Sequence, residues 1–374
     1  MQVEAYAGEE MVLNMGPQHP STHGVLRLEL ETDGEIVKKV TPHIGYLHRC
    51  FEKHAENIDY PGVIPFCDRM DYIASMNNSL GYALTVEKLM EIEVNERVQT
   101  LRVLMAELNR IASHLLSIGT YAMDIGSFTP FLHCFREREK ILDLFEWVCG
   151  ARLLYNYNWV GGVSHDIPSG FVEKTSEFLN QLEPVIAEMD KLLSYNKIFL
   201  ARTAAVGIIN KDLAESFNVT GPNLRGSGIQ WDLRKEEPYC AYETYDFEVP
   251  IGSGQFGPVG SCWDRYYVRV REMEQSIKLS RQALDRLPEG DVHEMVPRRV
   301  KPPKGEIYGR TETPRGELGY YVISNGGLIP FRVKVKSPCF TVLSVLPAIA
   351  QGGMVADIIA IIGSIDIVMG EIDR

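Results

Sequence analysis

Apolar and polar residues alternate in two regions, one near each end of the chain. The first region covers residues 25–40 and contains an Asp-Gly pair at 33–34, and the second covers residues 320–336 with an Asn-Gly pair at 325–326. Alternation is typical of strands, whose successive side chains point to opposite faces of a sheet, and these pairs favour tight two-residue turns. The pattern therefore predicts one β-hairpin near each terminus.

A different spacing, with apolar residues every three or four positions, runs through the middle of the chain. It begins at position 94 and recurs over residues 135–154, 178–193 and 266–284. Side chains three and four positions apart share one face of a helix, so we expect a long buried helix and three more that form a central bundle with it. The proline-rich run 296–304 then predicts an extended surface segment.

A helical middle between two small β elements is typical of the α+β class. We divide the chain into three parts on this basis. Residues 1–60 hold the N-terminal hairpin and a histidine-containing loop, residues 61–295 form the helical core, and residues 296–374 hold the C-terminal hairpin and a segment that closes the core.

Composition narrows the classes of partner. The 374 residues are 45% hydrophobic and carry a formal net charge of -12, which indicates a folded protein with no surface suited to nucleic-acid phosphates. The most apolar stretch, residues 340–369, contains proline and acidic residues, so we expect core helix and strand there and no membrane span. The N-terminus has no basic or apolar region typical of a secretory signal, which favours the cytoplasm.

The segment 16–24, Gly-Pro-Gln-His-Pro-Ser-Thr-His-Gly, is the densest polar signal. Its residues oppose regular structure, so it is predicted to be a loop that places His19 and His23; an ordinary turn with exposed histidines is the alternative. No metal site is expected, because Pro20 opposes a helical ligand pair and the seven cysteines form no C-x-x-C motif. The glycine-rich segments 221–228 and 252–257 lack the context of a nucleotide loop and are predicted to be tight turns.

Several charged or titratable residues of the long helix lie off its apolar stripe. They form a solvated face if the helix is at the surface, and an internal ionic network if it is buried, because each buried charge needs a partner. The sequence leaves both interpretations open for Arg97, Arg102, Glu107, Arg110 and His114.

Six segments, in order along almost the whole chain, resemble the family of the quinone-reducing subunit of complex I (NADH:quinone oxidoreductase) and its relatives in energy-converting dehydrogenases. The resemblance implies the fold of the nickel-iron hydrogenase large subunit, with the metal cavity turned into a quinone pocket, because the cysteine pairs that hold the metals are missing. The segments are 16–24 (GPQHPSTHG), 42–49 (PHIGYLHR), 69–72 (RMDY), 102–110 (RVLMAELNR), 224–234 (LRGSGIQWDLR) and 366–374 (DIVMGEIDR).

The resemblance also implies roles for individual residues. His23 and Tyr72 match the two residues that flank the quinone head group, and Asp124 matches the carboxylate that pairs with that histidine and is expected to hold a proton on it. Arg49 matches the arginine beside the terminal iron–sulfur cluster, which a partner subunit carries. Leu154 stands where relatives often have histidine, so we hypothesise a cluster less dependent on pH, suited to a lower-potential quinone such as menaquinone.

The function implied is that of a subunit of a proton-pumping NADH:quinone oxidoreductase that forms the quinone-reduction site. Quinone is the substrate, the chain binds no cofactor, and the iron–sulfur clusters, flavin and NAD belong to partner subunits. The expected partners are the iron–sulfur subunit, other peripheral-arm subunits and a membrane-arm subunit at the quinone entrance, with the chain peripheral on the cytoplasmic side of the cell (inner) membrane. The alternatives are a ferredoxin-linked, deazaflavin-linked or hydrogenase-like complex, or a noncatalytic scaffold between the two arms.

Overall fold

The computed structural model describes residues 10–297 and 299–374. Its N-terminal part is a three-stranded antiparallel sheet in the order β1-β2-β3, in which the predicted hairpin is β2–β3. Asp33 pairs with Ile36, so the turn lies one residue later than the Asp-Gly pair suggested. The sequence did not predict the edge strand β1, because three consecutive apolar residues in it, Met11, Val12 and Leu13, are exposed and do not alternate with polar ones. The strands are β1 Glu10–Met15, β2 Arg27–Asp33 and β3 Ile36–His43.

Helices form the middle of the chain, as the periodicity predicted. The longest helix, α4, begins where Asn95 accepts a hydrogen bond from the backbone N–H of Val98 at 3.0 Å, and it packs against α5 and α11. The second predicted helix ends at Cys149 and not at residue 154, because Gly150 adopts a left-handed conformation. The helices are α1 Phe51–Ala55, α2 Tyr60–Asp68, α3 Ser75–Met90, α4 Glu96–Asp124, α5 Phe128–Cys149, α6 Phe171–Leu193, α7 Lys197–Thr203, α8 Lys211–Ser216, α9 Gly221–Gly226, α10 Leu233–Glu236 and α11 Cys262–Asp285.

A short ribbon of β4 (Asn158–Trp159) and β5 (Gly162–Val163) lies between α5 and α6. The segment that begins at Gly221 was predicted to be a tight turn and is instead the short helix α9. Gly221 is needed there, because a Cβ atom at this position would lie 2.4 Å from the Cα of Gly316.

The C-terminal sheet has the antiparallel order β6-β7-β8 and differs from the predicted hairpin. Its tight turn joins β6 to β7 at residues 314–315, whereas the predicted Asn-Gly turn is part of a longer connection between β7 and β8. Strand β6 was missed because its buried positions are the polar residues Thr311, Glu312 and Thr313. The strands are β6 Lys304–Thr313, β7 Gly316–Asn325 and β8 Arg332–Lys336.

Four helices close the core, where helix and strand were expected. They are α12 Pro338–Leu343, α13 Leu346–Ala350, α14 Val355–Ile365 and α15 Met369–Asp373. The N-terminal sheet contacts this segment, since the backbone N–H of Val37 in β3 donates to the carbonyl of Gly353 at 2.9 Å. Among residues 10–297 and 299–374, no helix has both the length and the apolar character needed to cross a bilayer. The fold is α+β, as predicted.

The buried ionic network is the correct interpretation for four of the five charged positions of α4. Arg102 pairs with Glu87 at 2.6 Å, Glu107 pairs with both Arg110 and Arg234, and His114 contacts Glu272. The fifth residue, Arg97, lies near the surface and pairs with Asp166 at 2.6 Å.

Glu107 is the anion on which several buried donors depend. Tyr242 and Ser276 donate to it at 2.6 and 2.7 Å, beside its two arginine partners. We expect Glu107→Gln to lower the free energy of unfolding by about 3–5 kcal/mol, because it leaves buried guanidinium groups without their counterion. Urea denaturation followed by tryptophan fluorescence measures this. Glu274→Gln, which breaks an exposed pair with Arg271, is the control and should cost less than about 1 kcal/mol; equal losses would contradict the assignment.

Candidate active site

The loop between β1 and β2 is shaped by its first histidine and presents its second. His19 Nδ1 accepts a hydrogen bond from the backbone N–H of Ser21 at 3.2 Å, and Thr22 Oγ1 donates to the carbonyl of His19 at 2.9 Å. These bonds form a single helical turn that packs on α14. His23 follows it in the left-handed conformation, with φ at 50°. His19 therefore shapes the loop, and His23 is the residue that it positions.

The fold brings His23 to Asp124, which is 101 positions away at the end of α4. The distance from His23 Nε2 to Asp124 Oδ2 is 3.9 Å, and Ser21 Oγ donates to Asp124 Oδ1 at 3.4 Å. Both side chains are mostly buried, with 16% and 10% of their surface exposed. The helix end and the loop thus place an imidazole and a carboxyl group side by side.

The pKa directions of this pair oppose the expectation that Asp124 holds a proton on His23. Burial lowers the pKa of His23, with Asp366 raising it and Arg315 lowering it to a smaller extent. Burial raises the pKa of Asp124 to about 6, and the hydrogen bond from Ser21 partly opposes this. The neutral imidazole is therefore favoured, and the carboxyl group is the member of the pair that carries a proton as the pH falls to about 6.

Tyr72 lies in the connection between α2 and α3 and packs, half-buried, against the apolar core that includes Val368 and Met369. Burial raises the pKa of its phenol group, Asp71 raises it further, and Arg315 and Arg49 lower it. Tyr72 therefore remains a neutral hydroxyl donor at physiological pH.

Arg315, in the β6–β7 turn, connects the surroundings of His23 and Tyr72. Its Nη1 atom lies 2.6 Å from Asp71 Oδ2 and donates to Ser113 Oγ at 3.0 Å, and its Nη2 atom lies 3.4 Å from Asp366 Oδ1. All three charged residues, Arg315, Asp71 and Asp366, are buried.

Sequence reasoning did not single out Arg315, Asp71 or Asp366. The available signal was that Asp71 and Asp366 belong to the matched segments 69–72 and 366–374.

Arg49 is exposed and lies on a loop that the C-terminus holds in place. The Asp373 carboxylate accepts from the backbone N–H groups of Gly45 and Leu47 at 2.8 and 2.7 Å, and the N–H of Arg49 donates to the carbonyl of Arg374 at 2.9 Å. The Arg49 guanidinium donates to the Arg69 carbonyl at 2.5 Å. The loop therefore fixes a cation at the protein surface.

Leu154 follows the end of α5 and is half-buried in the left-handed conformation. Its neighbour Arg152 forms surface pairs with Asp143 and Glu146 at 2.5 and 3.2 Å. Within the described part of the chain, no group of three or more His, Cys, Asp or Glu residues could hold a metal ion.

This α+β chain brings together a histidine–carboxylate pair, a half-buried tyrosine and a buried ionic core. The family model described as respiratory-chain NADH dehydrogenase, 49 Kd subunit, matches residues 124–301 and 292–374. The D subunits of NADH-quinone oxidoreductase from Chlorobaculum parvum and Chlorobaculum tepidum are each 54% identical over 370 residues, which is 98% of this chain and 92% of theirs. The protein of that name from Chlorobium luteolum is 53% identical over 372 residues, 98% of this chain and 94% of its own. The chain belongs to this family, which confirms the resemblance.

The raised pKa of Asp124 has a measurable effect on stability. Its carboxyl binds a proton more tightly in the folded state, so stability falls as the pH rises from about 4 to about 6, and the loss is complete above that window. Asparagine cannot ionise, so Asp124→Asn should raise the free energy of unfolding at pH 8 by about 1–2 kcal/mol, allowing for solvent screening, and should have less effect at pH 4.

Urea denaturation at the two pH values tests this, with Asp143→Asn as a surface control that should show no such difference. An equal loss of stability at both pH values would contradict the raised pKa of the Asp124 carboxyl group.

Proposed function

We propose that this chain forms the quinone-reduction site of a proton-pumping NADH:quinone oxidoreductase, beside the terminal iron–sulfur cluster of a partner subunit. The observation that carries the proposal is the contact of His23 Nε2 with Asp124 Oδ2 at 3.9 Å, made by a loop and a helix end far apart in sequence. Tyr72 shares Arg315 with His23 as a charged neighbour, and it supplies a second proton donor. Family membership and the printed names of the relatives support the same substrate.

Reduction of quinone to quinol needs two proton donors, because a quinone that accepts two electrons becomes a strong base. Tyr72 can donate its phenolic proton to one carbonyl oxygen. At the other oxygen His23 donates from Nδ1 while Nε2 receives the proton of Asp124, so the imidazole stays neutral overall. This transfer needs the 3.9 Å contact to shorten toward hydrogen-bond distance, which closure of the site around quinone would provide.

The electrons would come from the iron–sulfur cluster of the partner, which supplies one-electron transfer. Arg49 is suited to face that cluster, because its loop is rigidly held and the residue itself is exposed. A fixed cation favours the reduced form of a nearby centre by stabilising its extra electron. The NAD and flavin chemistry belongs to other subunits.

The remaining parts of the proposal concern assembly. The iron–sulfur subunit would cover the side of Arg49, other peripheral-arm subunits would join it, and a membrane-arm subunit would form the quinone entrance. The chain would thus lie peripherally on the cytoplasmic side of the cell membrane. Loss of the proton from Asp124 changes the charge of a buried group, and this change would be relayed to the membrane arm to drive proton pumping.

We expect Tyr72→Phe and His23→Ala each to lower the quinone reductase rate of the assembled complex by roughly 10²-fold, because each removes a proton donor. Electron transfer to an artificial acceptor upstream of this site should continue. Matched controls are Tyr321→Phe, which removes a surface hydroxyl of β7 that donates to Glu306, and His165→Ala at an exposed position. If both site variants assemble and reduce long-chain quinone at the parental rate, the proposed site is wrong and a scaffold role gains support.

Arg49→Met should lower the midpoint potential of the adjacent cluster, because it removes a fixed cation. Redox titration of the assembled complex, followed by electron paramagnetic resonance, measures the shift. Arg271→Met, on the exposed side of α11, is the control. An unchanged potential would remove Arg49 from the surroundings of the cluster.

The same redox titration, repeated across pH, tests the hypothesis on Leu154. We expect the midpoint potential of the cluster to stay nearly constant, and a strong pH dependence of that potential would contradict the hypothesis based on the missing histidine.

A further inference from the structure

Tyr72 is the second residue of a tight turn formed by residues 71–74. The backbone N–H of Ala74 donates to the carbonyl of Asp71 at 3.1 Å, which closes the turn. The carboxylate of Asp71 supports the same turn, because its Oδ1 atom accepts from the backbone N–H of Ile73 at 3.1 Å. Aspartate at the first position of a turn favours this arrangement. The main chain on both sides of Tyr72 is therefore fixed by hydrogen bonds.

Asn109, in the middle of α4, connects this turn to the helical core. The residue is fully buried, with 0% of its surface exposed. Its Nδ2 atom donates to the carbonyl of Ile73 at 3.0 Å, and its Oδ1 atom accepts from the backbone N–H of Met76 at 3.1 Å. A carbonyl can only accept and a backbone N–H can only donate, so these two bonds fix the orientation of the amide group. Asn109 thus binds the residue directly after Tyr72.

The second bond of Asn109 supplies a helix cap that the sequence of α3 does not provide. Helix α3 begins after Ala74, whose side chain makes no capping hydrogen bond. The N–H of Met76 lies in the first turn of α3, where backbone donors have no partner within the helix, and Met76 is buried. Asn109 provides the acceptor from a different helix. One side chain thereby fixes both the start of α3 and the turn of Tyr72.

Helix α4 is therefore attached to both halves of the proposed quinone site. Its last residue is Asp124, which lies 3.9 Å from His23, and its middle binds the turn of Tyr72 through Asn109. An α-helix has a constant rise per residue, so the separation of two of its positions is constant. The distance between Tyr72 and the His23–Asp124 pair is thus set by α4.

We propose that Asn109 is a positioning residue for Tyr72, which keeps the phenol group at the distance from His23 that the two carbonyl oxygens of one quinone head group require. This inference rests on the proposed function of Tyr72 as a proton donor to quinone. Asn109 acts through the main chain beside Tyr72, since its own amide is buried and bonded to Ile73 and Met76. Proton transfer needs hydrogen-bond distance, and a displacement of about 1 Å can lower a rate by up to about 10²-fold.

Asn109→Ala in the assembled complex should lower kcat for quinone reduction by about tenfold, because the turn of Tyr72 loses its bond to α4. KM for quinone should change by less than about twofold. Asn158→Ala is the matched control: Asn158 is also buried, and its Nδ2 atom donates to the carbonyl of Met76 at 2.8 Å, within α3 and outside the turn of Tyr72. The control should keep kcat within about twofold of the parental value.

A double variant with Tyr72→Phe distinguishes a positioning role from a general loss of structure. If Asn109 acts through the hydroxyl of Tyr72, Asn109→Ala should leave the already lowered kcat of Tyr72→Phe unchanged, because that hydroxyl is absent. If the loss caused by Asn109→Ala recurs in full in the Tyr72→Phe background, the inference is wrong. A parental kcat for Asn109→Ala alone would also overturn it.

The outcomes separate this inference from the site on which it depends. If Tyr72→Phe retains the parental rate, the proposed quinone site is wrong. If Tyr72→Phe is slow while Asn109→Ala keeps the parental kcat, the site stands and the positioning role is wrong. Where Asn109→Ala prevents assembly, the milder Asn109→Ser is compared in the same two backgrounds. In the parental complex with quinone bound, the bond from Asn109 to Ile73 should be retained, and its absence would contradict the inference.

Discussion

The pairing of Arg315 with Asp71 and Asp366 is the interaction on which the site depends. One guanidinium contacts the segment before Tyr72, the end of α14 and, through Ser113, the middle of α4. Its planar fork of donors suits several partners at once, which a lysine could not satisfy. The turn that carries it is packed so tightly that Gly221 has no room for a side chain beside Gly316. Elements distant in sequence are thereby fixed around one point.

The same interaction joins the site to the ionic core of the bundle. Arg269 lies between Asp366 and Glu272, and Glu272 contacts both His114 and Arg225. Buried pairs of this kind add little net stability compared with apolar packing, but removing one member is costly. A change of charge at a buried group of this network is therefore poorly screened and is felt by the groups around it.

Local patterns were sufficient to predict the helices α4, α5, α6 and α11 and the N-terminal hairpin, but tertiary packing decided the rest. Alternation of apolar and polar residues could not predict β6, because the buried side chain of Glu312 pairs with Arg225 and does not pack in an apolar core. The contact of His23 with Asp124 was accessible through family resemblance, whereas the protonation of the pair was not, because it follows from burial that only the fold creates.

The central claim is that His23 and Tyr72 hold the quinone head group. The most direct measurement is a structure of the assembled complex with quinone bound. We predict one carbonyl oxygen at about 3 Å from the Tyr72 hydroxyl and the other at a similar distance from His23, with Asp124 closer to the imidazole than 3.9 Å. A head group bound elsewhere, such as in the groove between α3 and β6 lined by Glu237 and Arg310, with His23 and Tyr72 out of reach, would contradict this claim.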